Sequence, residues 1–117
     1  MTTELVIERS HRRGMPGDLL FAIFSTPVDG WAPLKPYADA HKAYLDDLQA
    51  EGILFGTGPL CSEDGLHCDG DGLHVVRVAS IEGARELADR DPMHRAGVKT
   101  YRIRPWILNQ REAPATA

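Results

Sequence analysis

The chain has 117 residues, a formal net charge of −4 and 43% hydrophobic residues, values typical of one ordinary globular domain. This acidic balance gives no reason to expect nucleic acid, which binds to basic surfaces. No apolar run approaches the ~20 residues that a membrane span needs, and the charged N-terminal segment does not resemble a secretory signal. We therefore expect a cytoplasmic protein with no membrane partner, in which Cys61 and Cys68 stay reduced and a disulfide is the less favoured alternative.

The first elements follow from hydrophobic patterning. Residues 1–17 are predicted as an N-terminal extension, whose apolar residues 5–7 are compatible with either a strand or a short helix. Residues 19–26 (LLFAIFST) form a continuous apolar run, which is typical of a strand buried on both faces. Residues 36–51 place apolar side chains at spacings of three and four, which predicts a helix that ends at Gly52.

The second half of the chain contains three more predicted strands and a second predicted helix. Residues 53–60 (ILFGTGPL) predict a strand whose glycines indicate a bulge or a close backbone approach. A loop over 62–72, rich in Asp-Gly pairs, leads to a third strand at 73–78. Ser80 is the predicted N-cap of a second helix, which Asp91 and Pro92 end, and residues 98–108 form the last strand. Residues 110–117 are predicted to be a flexible tail.

The order β-α-β-β-α-β predicts an α+β, ferredoxin-like domain over residues 18–109. Two right-handed crossovers around a hairpin give a four-stranded antiparallel sheet with both helices on one face. Because the strands are apolar on both faces, a second subunit is expected to cover the other face. The sequence thus predicts a homodimer or a higher homo-oligomer.

His41 is the first candidate site residue, because it lies on the apolar stripe of the first predicted helix. A helix face that packs on a sheet seldom carries a titratable group. An imidazole there could act as a general acid or base, or bind an anion in a cleft. Spacing alone favours a structural histidine, hydrogen-bonded to a backbone carbonyl.

Asp91 is the candidate partner of His41. It follows Leu87 by four residues, so it can share the inner face of the second helix, and it stands at the negative end of the helix dipole. It could accept the Nδ1 proton of His41 and orient the ring. An Asp-Pro turn residue without a functional role is an equally good interpretation.

The sequence contains no complete metal-binding or cofactor-binding motif. Cys61, His67, Cys68 and His74 have the spacing C-x5-H-C-x5-H, which lacks the close ligand pair typical of zinc sites. No dinucleotide, phosphate-loop or serine-nucleophile motif occurs. We therefore expect neither a metal nor a cofactor.

Three motifs at this spacing resemble the YCII-related family of the dimeric α/β-barrel superfamily. They are the helix segment 41–45 (HKAYL), the pair Gly58-Pro59, and the segment 91–97 (DPMHRAG). The resemblance covers residues 19–108 and implies a ferredoxin-like fold in which two subunits pair their sheet faces. It also implies that the family's His–Asp pair is His41 and Asp91. Some members resemble dehydrochlorinases, and the superfamily includes muconolactone isomerases and small monooxygenases.

The leading functional hypothesis is a cofactor-independent lyase or isomerase that acts on a small, cyclic or aromatic, oxygenated molecule. His41 would move the proton and Asp91 would orient it. Two alternatives stay open: a non-catalytic dimeric ligand-binding or accessory domain, and a cofactor-free monooxygenase. The residues expected to line the substrate cleft are Ser25, Thr26, Tyr44, Gly58, Pro59 and Met93.

Overall fold

The structure is a computed structural model that describes residues 1–114. Its four strands are β1 (Asp18–Pro27), β2 (Leu54–Pro59), β3 (Gly72–Val76) and β4 (Lys99–Leu108). Its α-helices are α1 (Thr3–Arg12), α2 (Ala38–Ala50), α3 (Ile81–Arg90) and the one-turn α4 (Pro92–Arg95), and a 3-10 turn spans Ala32–Tyr37. The sheet order is β2-β3-β1-β4, and every neighbouring pair is antiparallel. The predicted ferredoxin-like α+β fold is confirmed.

The helix-facing side of the sheet carries the main core. Alternate residues of β1 and β3 point to this side, because side chains alternate between the two faces of a strand. They pack against apolar residues of α2 and α3. The buried members of this core are Phe21, Ile23, Leu48, Val76, Ala84, Leu87 and Ala88.

The opposite side of the sheet is also apolar, as the continuous hydrophobic run in β1 predicts. Its buried residues are Leu20, Ala22, Val75 and Leu108. Three partly buried residues extend the patch: Phe24, Phe55 and Leu73. Neither α2 nor α3 contributes to this cluster, so this side of the sheet differs from the helix-covered one.

The N-terminal extension folds as the helix α1, which resolves the ambiguity of its pattern. Thr2 caps the helix by accepting a hydrogen bond from the backbone N–H of Leu5 at 3.1 Å. Asn109 ties the extension to the end of β4, since its Nδ2 donates to Ser10 Oγ at 2.9 Å and its Oδ1 accepts from Gly17 N at 3.2 Å. Of the predicted tail, residues 110–114 are exposed and irregular, and 115–117 lie outside the described residues.

The start of α2 and the presence of α4 differ from the sequence prediction. The first long helix was expected from residue 36, but Pro36 lies inside the 3-10 turn and α2 begins at Ala38. Asp91 ends α3 as predicted, yet it also caps α4, which the sequence analysis missed. The predicted strand irregularity is present as a register shift between Leu54 and Gly56.

Within residues 1–114, no helix is long and apolar enough to cross a membrane.

Candidate functional site

A pocket of ≈ 300 Å³ opens between α2 and the edge of the sheet. One wall comes from the 3-10 turn and α2, and the other comes from β2, β3 and the loop before β3. The first residue of β4 and Met93 of α4 complete the lining. The lining residues are Trp31, Leu34, Ala38, His41, Leu45, Thr57, Gly58, Pro59, Gly70, Asp71, Gly72, His74, Met93 and Lys99.

The central contact of the site joins His41 to Asp91. His41 Nδ1 lies 3.0 Å from Asp91 Oδ1, and the Asp91 carboxylate is only 1% exposed. A carboxylate accepts, so Nδ1 carries the proton, and Nε2 is the ring nitrogen left for a ligand. The predicted pair is therefore within hydrogen-bond distance across 50 residues of sequence.

Local backbone geometry fixes Asp91 in this position. The chain leaves the helical conformation at Asp91 (φ −61°, ψ 125°), and Pro92 starts α4 with the preset backbone angle that suits a first helical residue. Asp91 Oδ1 also accepts from the backbone N–H of Met93 at 3.0 Å, which is an N-cap bond. Burial acts to raise the pKa of Asp91, but the hydrogen bonds from His41 and Met93 outweigh it and hold this pKa below its usual value. Asp91 thus stays ionised in a nearly dry position.

A second imidazole, His74, approaches the other oxygen of Asp91. His74 Nε2 is 3.9 Å from Asp91 Oδ2, and neither buried atom has a hydrogen-bond partner among the described residues. His74 Nδ1 lies 2.5 Å from the hydroxyl oxygen of Thr57. Burial and the neighbouring His41 lower the pKa of His74 to about 4. A neutral His74 therefore lies beside the second oxygen of the ionised Asp91, with its ring centre 5.5 Å from that of His41.

These three side chains form a group that could also hold a metal ion. Ligand atoms of His41, His74 and Asp91 all lie within 4.8 Å of one another. Two imidazoles and a carboxylate suit divalent transition metals, provided that His41 Nδ1 gives up its proton. The same set of atoms thus suits either a hydrogen-bonded acid–base pair or a metal, but not both at once.

The comparisons with known proteins identify the family. The family model of the YCII-related domain matches residues 19–107. The chain belongs to the YCII-related family. Membership supports a small-molecule catalytic role at the family level. No curated protein matches the sequence.

One similar solved structure is 5-chloro-2-hydroxyhydroquinone dehydrochlorinase from Burkholderia phenoliruptrix AC1100, in complex with 2,5-dihydroxybenzoquinone. The TM-score is 0.60 at 22% sequence identity, and the match covers 74% of this chain and 92% of that chain. At this identity the likeness shows the fold, which is the ferredoxin-like arrangement predicted from the sequence.

The pocket of this YCII-related domain contains some of the predicted lining residues. His41, Gly58, Pro59 and Met93 border it, and Asp91 lies directly behind His41. Gly70, which was not singled out, has φ +97° and lies so close to Pro27 that a Cβ would be 2.7 Å from Pro27 Cγ. Only glycine fits there, and this brings the loop before β3 onto the pocket edge.

Three predicted lining residues lie outside the pocket. Ser25 is buried, and its hydroxyl is 2.6 Å from His94 Nε2, while His94 Nδ1 is bonded to the carbonyl of Ala88. Thr26 is exposed at the end of β1. Tyr44 donates its hydroxyl to the carbonyl of Leu87, and burial raises its pKa. The hydroxyls of Ser25 and Tyr44 are thus bonded to α4 and α3 and serve the fold, and none of the three residues borders the pocket.

Several pocket residues were not predicted from the sequence. His74 occupies a helix-facing position of β3, and its period-two relation to Val76 was the available signal. Lys99 and Trp31 had no such signal, because they meet the pocket only through tertiary packing. Trp31 Nε1 donates to the carbonyl of Cys68 at 2.8 Å, which holds the loop after β2 against the 3-10 turn.

The cysteine–histidine motif considered for metal binding is divided between two places. Cys61 and Cys68 are free and exposed, with their Sγ atoms 3.1 Å apart in the loop between β2 and β3. His67 is exposed in the same loop, whereas His74 is buried in β3 beside Asp91. His74 thus lies in one group with His41 and Asp91, whereas Cys61, His67 and Cys68 are exposed.

Proposed function

We propose that this YCII-related domain is a cofactor-independent lyase or isomerase that uses His41 as its general acid and base. The observation that carries the proposal is the imidazole of His41, which borders the pocket while its Nδ1 is hydrogen-bonded to the buried carboxylate of Asp91. Proton transfer by a positioned histidine needs no cofactor.

The proposed step begins with His41 Nε2 taking a proton from an O–H or acidic C–H group of the substrate. The ring becomes an imidazolium, and the charge of Asp91 stabilises it at 3.0 Å. The electron pair left on the substrate then either moves to another carbon, which takes the proton back from Nε2, or expels a leaving group. The first outcome is an isomerisation and the second is an elimination.

The size of the pocket favours a small substrate. A volume of ≈ 300 Å³ is at the lower end of the range for ligand sites, which suits a molecule with a single ring. Its walls are mainly apolar, with polar groups concentrated at His41, His74 and Lys99. This arrangement is typical of sites that orient a flat oxygenated ring by a few polar contacts.

We also propose that two copies pair through the apolar side of the sheet, giving the dimeric α/β barrel implied by the family resemblance. A cavity of ≈ 370 Å³ lies on that side, and Trp106 at its edge is 42% exposed. Phe24, Phe55 and Leu73 on the same side are only partly buried, and the Arg102 guanidinium lies 5.2 Å from the centre of the Phe24 ring. Exposed patches of this kind are typical of interfaces. The cytoplasmic location expected from the sequence is likewise a proposal.

The test is turnover of a panel of chlorinated and hydroxylated hydroquinones, including 5-chloro-2-hydroxyhydroquinone. Purified protein is compared with His41→Ala and with the control His67→Ala, which removes an exposed loop histidine. We expect His41→Ala to lose about 10²- to 10⁴-fold in kcat and the control to keep its rate. Unchanged turnover in His41→Ala would remove His41 from the mechanism.

The same panel separates the two alternatives. A non-catalytic ligand-binding domain would bind panel members without converting them, and anaerobic conditions would stop a monooxygenase. We expect conversion that continues at the same rate without oxygen.

A further inference from the structure

Lys99 is a buried lysine at the edge of the proposed active site. The chain has three lysines, of which Lys35 and Lys42 are exposed, while Lys99 is only 7% exposed and borders the pocket. It is the first residue of β4, where backbone pairing with Pro27 of β1 fixes its position. Lysine is among the residue types least often buried without a partner. Its burial here therefore needs an explanation.

The surroundings of Lys99 offer no ion pair. Among residues 1–114, none of the ion pairs within 4.0 Å involves Lys99. Burial lowers the pKa of Lys99, and the carboxylates of Asp91 and Asp71 act against this from a greater distance. A buried ammonium without a close partner is costly, and an anion beside it would offset that cost.

Gly72 leaves space between Lys99 and His74, and Gly58 leaves open space in the same pocket. A Cβ at Gly72 would lie 3.7 Å from Lys99 Nζ, 3.8 Å from the carbonyl oxygen of Gly58 and 4.0 Å from His74 Cε1. A Cβ at Gly58 would meet nothing within 4 Å. Neither glycine has a positive φ, so the backbone does not demand glycine at these positions. What their missing side chains provide is room in which a ligand atom can lie between the ammonium and His74.

We propose that Lys99 binds an ionised oxygen of the substrate, so that the pocket takes an enolate, phenolate or carboxylate seated over Gly72 with its reacting group towards His41. This inference rests on the proposed function and adds the substrate's charge to it. A cation at this position stabilises negative charge that grows on the substrate when His41 removes a proton. Lys99 thereby selects anionic substrates and also supports the proton transfer.

The test uses 4-nitrophenol and its methyl ether 4-nitroanisole, which has the same ring and cannot ionise. At a pH where the phenol is ionised, their dissociation constants for the purified full-length protein are measured by absorbance and by equilibrium dialysis. We expect the phenolate to bind at least about 10-fold more tightly than the anisole, as one charged hydrogen bond provides. Equal affinity for the two probes in the unmodified protein would overturn the proposal.

Variants assign that preference to Lys99. Lys99→Met keeps an unbranched side chain that is one atom shorter and has no charge, and we expect it to bring the two affinities within about twofold of each other. Lys99→Arg should retain the preference, and Lys42→Met, which removes an exposed lysine of α2, should leave it unchanged. A phenolate preference that persists in folded Lys99→Met would contradict the proposal. If Lys99→Met does not fold, Gly72→Val replaces it, since filling the space over Lys99 should weaken phenolate binding, and unaltered binding in that variant would refute the assignment.

His41→Gln distinguishes this inference from the proposed function. It removes the proposed base, so turnover should fall while nitrophenolate binding stays within about threefold of the unmodified protein. Loss of turnover with a retained phenolate preference in His41→Gln, together with loss of that preference in Lys99→Met, would support the two proposals separately.

Discussion

His74 should make the folded domain sensitive to mild acid. An unfolded chain exposes this imidazole, whose ordinary pKa is 6.5, whereas burial in the fold lowers the pKa to about 4. Between these values the unfolded state binds the proton and the folded state does not. Above about pH 6.5 His74 therefore costs the fold no stability, and the free energy of unfolding falls as the pH decreases from there towards about 4.

The size of the effect follows from the two values. A fall in pKa from 6.5 to about 4 corresponds to about 3 kcal/mol of unfolding free energy, lost across this pH range. This is a large share of the free energy of unfolding of a typical domain, which is roughly 5–15 kcal/mol. The cause is local, because His74 is buried between Thr57 and Asp91 and cannot be solvated as an imidazolium.

Urea unfolding at fixed protein concentration, at pH values between about 7.5 and about 4, measures the effect. His74→Gln removes the titrating group and can still bond to Thr57. We expect its stability to depend on pH by about 3 kcal/mol less than that of the unmodified protein, while the control His67→Gln should match the unmodified protein. Parallel pH profiles for His74→Gln and the unmodified protein would refute the account of a buried neutral His74.

Three further predictions concern the site, the core and the sheet face. Asp91→Asn should lower kcat by about 10²- to 10⁴-fold, because an amide cannot balance the imidazolium of His41; unchanged kcat would exclude Asp91 from proton transfer. Ser25→Ala should destabilise the domain by about 1–2 kcal/mol in urea unfolding, since it leaves His94 Nε2 unpaired, and should keep kcat; a loss of kcat would return Ser25 to the cleft. Leu73→Glu should give monomers in sedimentation velocity, and an unchanged dimer would remove the proposed interface.

The sequence predicted the fold because each element has a clear local pattern. The apolar run of β1 marks a strand buried on both faces, and the spacing of three and four around His41 marks α2. Once the element order is known, the right-handed crossover rule leaves few topologies. The sheet order could thus be predicted without any knowledge of side-chain contacts.

The His41–Asp91 pair of the candidate site could be predicted for the same reason. His41 is unusual on an apolar helix stripe, and Asp91 is unusual at the C-terminal end of a helix. The helix α4 was missed although its signal was present, since an Asp followed by Pro also marks a helix start. In this chain the Asp91-Pro92 dipeptide both ends α3 and starts α4. The cap bond from the backbone N–H of Met93 holds the Asp91 carboxylate towards His41.

The remaining site residues depend on tertiary packing. A histidine in the apolar strand sequence LHVVRV gives no local indication that it faces a carboxylate 17 residues later. Lys99 borders the pocket only because β4 begins beside the end of β1. Ser25 was expected to line the cleft, but its hydroxyl lies within hydrogen-bond distance of His94. Such contacts are set by how the elements pack, which periodicity does not specify.

The most direct test of the His41–Asp91 pair is the position of the proton on the neutral imidazole. Long-range ¹H–¹⁵N correlation spectra identify it, with the His41 signals assigned by their loss in His41→Gln. We predict that the proton is on Nδ1 in the unmodified protein, which leaves Nε2 free to act as the base, and that Asp91→Asn shifts it. A proton on Nε2 in the unmodified protein, or identical His41 signals in Asp91→Asn, would contradict the proposed mechanism.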